Sequence, residues 1–197
     1  MKKVLNVGGN SKQIALPPQY ADFEHLLLDI DPKGEPDILC DARLLTTLES
    51  GQFDAIYNSH NLEHYYRHDV PKVLAGFQHV LKDDGFAHII VPDMHEVMRQ
   101  TLDRGLDIDD VLYHSPAGPI MVLDVFYGYT TQIERSGVEF YAHKTGFTQK
   151  SLVAALTRAG FAKIYSGLSP SSLEVHAWAF KSQPTDEVRA LFQLPAG

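Results

Sequence analysis

Short apolar runs alternate with helix-like patterns along the chain. An apolar run bounded by turn residues is typical of a buried strand, and apolar residues three or four positions apart are typical of one helix face. The apolar runs predict strands at residues 3–7, 25–29, 37–40, 53–57, 86–91, 162–167 and 173–180. The helical patterns predict helices at residues 70–81, 93–104, 148–159 and 185–192. Strands that alternate with helices indicate an α/β fold with a mainly parallel sheet and helices on both faces.

Proline, glycine and aspartate mark the predicted ends of these elements. Pro71 fits the first turn of the helix at 70–81, where a missing N–H group costs nothing. Gly85 is predicted to end that helix, and Asp93 is the predicted N-cap of the next one. Residues 105–146 contain many aromatic residues together with glycine and proline, and they show no clear hydrophobic period.

Composition narrows the classes of protein and of partner. A chain of 197 residues is expected to form a single domain, residues 1–197. The net charge of −8 argues against a nucleic-acid partner or a membrane surface, and no apolar stretch is long enough to span a bilayer. The opening MKKVLNV leads directly into a strand, so no signal peptide is expected. One cysteine, Cys40, suits a reducing compartment, and we expect a cytoplasmic protein.

Polar residues and glycines follow each of the first five predicted strands, where parallel sheets bind their ligands. An acidic residue about 20 positions after a glycine turn can accept both hydroxyls of a ribose. A second one, after the next strand, can accept from an exocyclic amine, and the pair would suit adenosine. Each residue alone also fits an ordinary turn or cap. The residues are Gly8, Gly9 and Asn10; Asp29 and Asp31; Asp41 and Ala42; Asn58, Ser59 and His60; Pro92 and Asp93.

The order and spacing of several short motifs resemble class I S-adenosylmethionine-dependent methyltransferases, and in particular a small bacterial group of type 11-like domains. The resemblance extends over residues 3–180. It implies a three-layer Rossmann-like fold, a mainly parallel sheet with an antiparallel last strand, and S-adenosylmethionine as the cofactor. The motifs are LNVGGN at 5–10, SHNLEH at 59–64, LKDDG at 81–85, VPD at 91–93 and HKTGFTQKSLVAALTRAGF at 143–161.

The resemblance also implies a role for each residue of the cofactor site. The expected contacts are Gly8, Gly9 and Asn10 with the methionine part; Asp29 with the ribose; Asp41 and the backbone at Ala42 with the adenine; and Asn58, Ser59 and His60 with the region of the sulfonium.

The glycine loop departs from the usual pattern. Asn10 stands where the family usually has its second glycine, and asparagine is the residue other than glycine that best tolerates a positive φ. Lys12 occupies the place of a third glycine. Pro17 and Pro18 interrupt what is normally a full helix after the loop, so we expect that helix to be short or absent.

The activity implied by the resemblance is methyl transfer to a small-molecule or sugar-type acceptor. Candidate general bases are His60, His64 and His143, with Tyr129 as a positioning group. Residues 105–146 are expected to cover the acceptor and to move more than the sheet. Their aromatic residues fit a core or a homodimer contact almost as well.

Two other functions fit parts of the sequence. His60, Glu63 and His64 match H-x-x-E-H, the signature of inverted zinc peptidases. The segment between the strand before it and Pro71 allows only about two helical turns, so we expect no metal. The altered glycine loop also fits a methyltransferase-like protein that binds a nucleoside or a partner protein without catalysis.

Overall fold

The computed structural model describes residues 1–116, 118–169 and 171–195. The predicted domain 1–197 and the predicted cover 105–146 therefore include positions outside the described residues, and the single-domain boundary stays a prediction. The strands are β1 Lys2–Val7, β2 Phe23–Asp29, β3 Ile38–Leu39, β4 Phe53–Ser59, β5 Leu81–Pro92, β6 Val111–Ser115, β7 Gly118–Met121, β8 Lys163–Ser169 and β9 Glu174–Phe180.

Six α-helices and five short 3-10 helices connect these strands within the described residues. The α-helices are α1 Val70–Val80, α2 Met94–Asp103, α3 Val122–Tyr127, α4 Thr130–Ser136, α5 Gln149–Arg158 and α6 Asp186–Leu191. The 3-10 helices are Pro18–Tyr20, Pro32–Gly34, Ala42–Thr47, Leu62–His64 and Glu139–Tyr141. None of the helices in the described part of the chain is long and apolar enough to cross a membrane.

Seven strands form one twisted sheet in the order β3-β2-β1-β4-β5-β9-β8. The first five strands are mutually parallel, and β9 runs antiparallel to both β5 and β8. The predicted α/β class, with its mainly parallel sheet and antiparallel last strand, is confirmed. The order reverses beside β1, so the loops after β1, β2 and β4 meet at one edge, where α/β sheets bind ligands.

The two faces of the sheet are covered unequally. One face packs against α1, α5 and the 3-10 helix Ala42–Thr47, around a core that includes Phe77 and Leu152. The other face is covered mainly by Tyr20 and Phe192, which pack near Phe86. Only the 3-10 helix Pro18–Tyr20 remains where the first full helix would be, as the two prolines predict. The three layers are therefore present, but one of them is thin.

The predicted end of α1 at Gly85 is wrong. The helix ends at Val80, because Leu81 is extended (φ −73°, ψ 140°) and already pairs with Phe53 on β4. The register then shifts between Phe53 and Ala55. Gly85 lies inside β5, where an added Cβ would stand 3.2 Å from the carbonyl oxygen of Asp54. The same Cβ would stand 3.0 Å from the carbonyl oxygen of Lys82, so close backbone approach, and not a helix end, explains this glycine.

Residues 105–146 fold into the hairpin β6–β7 and three short helices, apart from residue 117, which lies outside the described positions. No element there exceeds seven residues, so a hydrophobic period has no room to develop. A small apolar cluster fastens the segment to α2 and to the turn before β9. Its buried members are Val97, Leu112, Val122, Val125 and Leu173.

Candidate functional site

The loop after β1 turns sharply through two residues with positive φ. Gly8 has φ +75°, and a Cβ added there would stand 2.0 Å from the side-chain nitrogen of Asn61. Only glycine therefore fits at this position. Asn10 has φ +61°, so the expectation that asparagine preserves the turn is confirmed.

Asp29, at the end of β2, ties this loop to the next one. Its Oδ2 accepts from the backbone N–H of Asn10 at 3.0 Å, and its Oδ1 accepts from the N–H of Asp31 at 2.9 Å. The residue is only 8% exposed. Each carboxylate oxygen has a further lone pair, so Asp29 can still accept from a hydroxyl at the pocket surface.

Asp41 is held by a neighbouring cation. It caps the 3-10 helix Ala42–Thr47 through the N–H of Arg43 at 2.9 Å, and the guanidinium of Arg43 donates to it from Nε, also at 2.9 Å. Burial favours the neutral acid, but the hydrogen bonds from Arg43 outweigh it and lower the pKa of Asp41. Asp41 is therefore an anion, and an exocyclic amine would have to share it with Arg43.

A pocket of about 270 Å³ opens where these loops meet. Six residues predicted from the sequence contribute to its lining: Gly8, Asn10, Asp29, Asp41, His60 and His64. The lining also contains Asp31, which the sequence places after the second strand, and nine residues that we did not single out: Ile30, Arg43, Asn61, Tyr65, Tyr66, Asp69, Phe140, Tyr141 and Lys144.

Four predicted cofactor residues lie behind the pocket lining. Gly9 packs on Asn6, Ala42 is buried, and Ser59 ends β4 without reaching the lining. Asn58 is fully buried, and its amide donates to the carbonyl of Val7 at 3.1 Å and to Asn61 at 2.9 Å. Asn58 thus braces the loop from below, a role for which an apolar residue would lack the donor.

A second, smaller pocket of about 120 Å³ lies between β5, β9 and the segment 105–146. Three of the four predicted catalytic residues line it, namely His60, Tyr129 and His143. Tyr113 and Asp124 of the cover segment also contribute. His60 belongs to the lining of both pockets, so the two meet at this residue.

His60 stands between two carboxylates. Its Nε2 donates to Glu174 Oε1 at 2.8 Å, and its Nδ1 lies 3.5 Å from Glu63 Oε1. Burial disfavours the charged ring, but the hydrogen bond to Glu174 and the nearby carboxylate of Glu63 outweigh it and raise the pKa of His60 to about 10. The ring is an imidazolium at neutral pH, without a lone pair, so it suits holding a position better than accepting a proton.

The other two candidate histidines are distinguished by their partners. Both ring nitrogens of His64 contact backbone carbonyl oxygens. Nδ1 lies 3.1 Å from the oxygen of Ala142, and Nε2 lies 3.2 Å from the oxygen of His60. The Nδ1 of His143 donates to the carbonyl of Val125 at 2.8 Å. Because a carbonyl only accepts, the neutral His143 ring carries its proton on Nδ1 and has its lone pair on Nε2.

Glu63, His64 and His143 form the one group in the described residues with a spacing that a metal could use, with one atom from each within 4.8 Å of the others. Glu63 is fully buried, and neither of its oxygens has a hydrogen-bond partner among the described residues. His60 supplies the compensating charge at 3.5 Å. Binding a metal through His64 would break one of its contacts with a backbone carbonyl. The expectation that the protein binds no metal stays a prediction.

The chain was compared with protein families and with solved structures. Residues 8–89, which contain the glycine loop, Asp29, Asp41 and His60, match the family model of a methyltransferase domain. A SAM-dependent methyltransferase from Archaeoglobus fulgidus is 14% identical, with a TM-score of 0.56 over 91% of this chain and 86% of that one. A protein from Pyrococcus horikoshii OT3 is 15% identical, with a TM-score of 0.59 over 91% and 82%.

A third similar structure is the 1,6-didemethyltoxoflavin-N1-methyltransferase of Burkholderia thailandensis, which holds 1,6-didemethyltoxoflavin and S-adenosylhomocysteine. It is 16% identical, with a TM-score of 0.53 over 92% of this chain and 72% of that one. A sequence comparison with curated proteins finds no significant match. Residues 8–89 are thus similar to a methyltransferase domain, and the likeness to these solved structures shows that the chain shares their fold.

Proposed function

We propose that this protein transfers a methyl group from S-adenosylmethionine in the first pocket to a small-molecule acceptor in the second. The observation that carries the proposal is His60, which lines both pockets and would lie where cofactor and acceptor meet. The Burkholderia thailandensis enzyme, with its small-molecule ligand on the same fold, supports an acceptor of this kind.

The residues of the first pocket fit the cofactor at three places. Gly8 lets the backbone approach a ligand closely, and Asp29 has lone pairs for the ribose hydroxyls. Ile30, which is 46% exposed, offers an apolar wall beside them. Gly9, Ala42, Asn58 and Ser59 would act by supporting this lining. When bound, the cofactor supplies a methyl group on a sulfonium, which is a good leaving group.

His143 is the residue that we assign to proton transfer. Its Nδ1–H is fixed on Val125, so the free Nε2 can accept a proton from a hydroxyl or amine as the methyl group arrives. Asp124 is less suited to this role, because its oxygens already accept from the N–H groups of Met121 at 2.8 Å and Thr130 at 2.9 Å. Tyr129 would position the acceptor. Alignment of the two reactants is then the protein's main contribution.

The size of the second pocket limits the acceptor. About 120 Å³ admits a compact molecule or one group of a larger one, such as a sugar hydroxyl. The segment 105–146 would cover this acceptor, because Tyr113, Asp124, Tyr129 and His143 all come from it. A cytoplasmic location and a homodimer belong to the proposal as well, the former because Cys40 is unpaired.

Titration calorimetry and a turnover assay test the proposal. We expect S-adenosylmethionine and S-adenosylhomocysteine to bind, and we expect methyl transfer to one member of a panel of hydroxyl and amine acceptors. The His143→Gln variant should bind S-adenosylhomocysteine as the wild type does and lose turnover. Heats equal to dilution at millimolar ligand would contradict the cofactor proposal and leave the fold untouched.

One observation favours the second candidate, a protein that binds a nucleoside without catalysis. The guanidinium of Arg43 already donates to the carboxylate of Asp41, so Asp41 would bind the adenine of the cofactor only weakly. Tight cofactor binding with no turnover on any acceptor in the panel would support this alternative.

A further inference from the structure

Glu174, the first residue of β9, contacts His60 across a distance of 114 positions in the chain. It lies opposite Pro92, at the end of β5, and so reaches the ligand-binding edge of the sheet from the antiparallel strand. Oε1 accepts from His60, and Oε2 accepts from Ser172 Oγ at 2.6 Å and from His176 Nε2 at 3.3 Å. Both oxygens are engaged, so the carboxylate has little freedom to rotate.

We propose that Glu174 is a positioning residue, which together with Glu63 holds the His60 ring as the shared wall of the two pockets and so sets how an acceptor meets the cofactor. This inference rests on the function proposed above. Glu174 would act through His60, since it is not part of the lining of either pocket.

The backbone at His60 shows why the ring needs such a clamp. Its φ of +49° is unusual for a residue with a side chain and carries a conformational cost. The N–H of His60 is fixed on the carbonyl of Ile90 at 2.9 Å, so the backbone is held by β5. The side chain is 46% exposed and lines both pockets, and its two ring nitrogens contact Glu63 and Glu174. Without Glu174, one of those two contacts disappears.

Charge strengthens this clamp. Burial favours the neutral acid at Glu174, but its hydrogen bonds with His176, His60 and Ser172 outweigh burial and lower its pKa. An imidazolium that donates to a carboxylate makes a charge-assisted hydrogen bond, which is shorter and stronger than a neutral one. The 2.8 Å contact between His60 and Glu174 agrees with that description.

His176 provides the matched control. It lies two positions further along β9 and also contacts Glu174, but its other ring nitrogen faces His88, away from both pockets. A general disturbance of β9 would therefore affect Glu174→Gln and His176→Gln alike. Loss of the clamp would affect Glu174→Gln far more, because in His176→Gln the carboxylate still accepts from His60 and from Ser172.

The experiment compares the wild type, Glu174→Gln, Glu174→Asp and His176→Gln. Proton–nitrogen NMR of the histidine rings should show a protected Nε2–H of His60 in the wild type and in His176→Gln. In Glu174→Gln, where only a neutral amide oxygen can accept from it, this resonance should shift and exchange faster with water. Calorimetry should give S-adenosylhomocysteine affinities within about twofold for all four proteins. With an accepted substrate, kcat should fall at least about tenfold in Glu174→Gln, with partial recovery in Glu174→Asp.

The outcomes separate this inference from the proposed function. An unchanged His60 resonance in Glu174→Gln, or equal losses of kcat in Glu174→Gln and His176→Gln, would overturn the positioning role. The NMR measurement needs no ligand, so it decides the His60 contact even if no cofactor binds, in which case the proposed function fails by itself. If Glu174→Gln does not fold, the same resonance and kcat are read in Glu174→Asp.

Discussion

His60 and His88 lie at two ends of one short chain of polar side chains, and the protein holds them in opposite charge states. Glu174 joins His60 at 2.8 Å and His176 at 3.3 Å, and His176 Nδ1 lies 3.5 Å from His88 Nε2. His60 is charged at the ligand-binding edge of the sheet. His88 lies in the middle of β5 on the thinly covered face.

Within the part of the chain that the structure describes, the hydrogen-bond and ring partners of His88 include no carboxylate. The residue is 4% exposed, its ring stacks on Trp178 with centroids 4.6 Å apart, and its Nδ1 lies 3.2 Å from the hydroxyl of Tyr20. Burial, and secondarily His176, lower the pKa of His88 to about 3. His88 is therefore neutral, and its ring behaves as part of an aromatic core.

The difference shows that a charge partner can reverse the effect of burial. Burial disfavours the charged form of both rings, fully for His88 and in part for His60, which is 46% exposed, and His60 meets two carboxylates and stays charged. The position in the sheet explains the partners. Loops after strand ends bring acidic residues together, whereas the middle of a strand meets the side chains of its neighbours.

The largest expected effect is on stability, at His88. Replacing it in His88→Ala leaves a cavity among Tyr20, Trp178 and Phe192, and we expect a loss of roughly 2–4 kcal/mol in the free energy of unfolding. Urea denaturation measures this loss. His114→Ala, at an exposed strand position, is the control and should change little. An equal loss in both variants would contradict a core role for His88.

The second effect is on binding, at the opposite region. Asp29→Ala should weaken S-adenosylhomocysteine binding by about 1.5–3 kcal/mol, because a charge-assisted hydrogen bond to a ribose is lost. Calorimetry measures the affinity, and a thermal melt checks that the protein still folds. Asp22→Ala, just before the start of β2, is the matched control. If the affinity did not change, Asp31 or another binding mode would have to be considered.

Acid should destabilise the protein through His88. The pKa of His88 is about 3 in the folded protein, below the ordinary value of 6.5. Between these two pH values the unfolded chain binds a proton at this residue and the folded chain does not. Stability should fall as the pH drops from about 6.5 towards 3, and the slope should be smaller in His88→Phe. Melts across this range, with His114→Phe as the control, measure the difference. Identical slopes in wild type and His88→Phe would count against a neutral buried ring.

Alkali should act through His60, in the opposite sense. Its folded pKa is raised from 6.5 to about 10, so its contribution is complete below about 6.5 and is lost as the pH rises to about 10. The melting temperature of the wild type should therefore fall more steeply over this window than that of Glu174→Gln. Glu187→Gln, far from the site with a side chain that is 82% exposed, should follow the wild type. A steeper fall of the melting temperature in Glu174→Gln than in the wild type would contradict a charged His60 in the folded protein.

The smallest expected effect is that of metal removal. We expect no stoichiometric zinc in protein prepared without a chelator, because His60 already compensates the charge of Glu63. Metal analysis measures this, and a chelator should leave the melting temperature unchanged. About one zinc per chain that disappears in His64→Ala would instead support the hydrolase alternative.

Local pattern in the sequence was enough to predict the sheet and one wall of the site. Strand periodicity depends on neighbours within a few residues, and the residues after each strand meet at one edge as soon as the strands are parallel. Gly8, Asn10, Asp29 and Asp41 could be placed in one pocket on that basis. The sequence also predicted the thin layer, because Pro17 and Pro18 act locally.

Other predictions failed or were incomplete because they depended on contacts between distant segments. Gly85 follows a helical pattern, where a glycine commonly ends a helix, but the pairing of β5 with β4 places it inside a strand. Asp41 is expected to accept from an exocyclic amine, and no pattern in the sequence indicates that Arg43 also donates to it. Among the lining residues that we did not predict, Ile30 is the one that the sequence could have indicated, because it lies between Asp29 and Asp31 directly after β2.

The sequence by itself therefore determined the fold class, the thin layer and the loop side of the cofactor pocket, because these follow from short-range spacing. Only the tertiary structure decided the second pocket, where His143 lies 83 positions beyond His60 in the chain, and the contact of His60 with Glu174, 114 positions beyond it. It also decided that His60 is charged and His88 neutral. A histidine's charge depends on which side chains surround it in space, and that arrangement exists only when the strands have assembled.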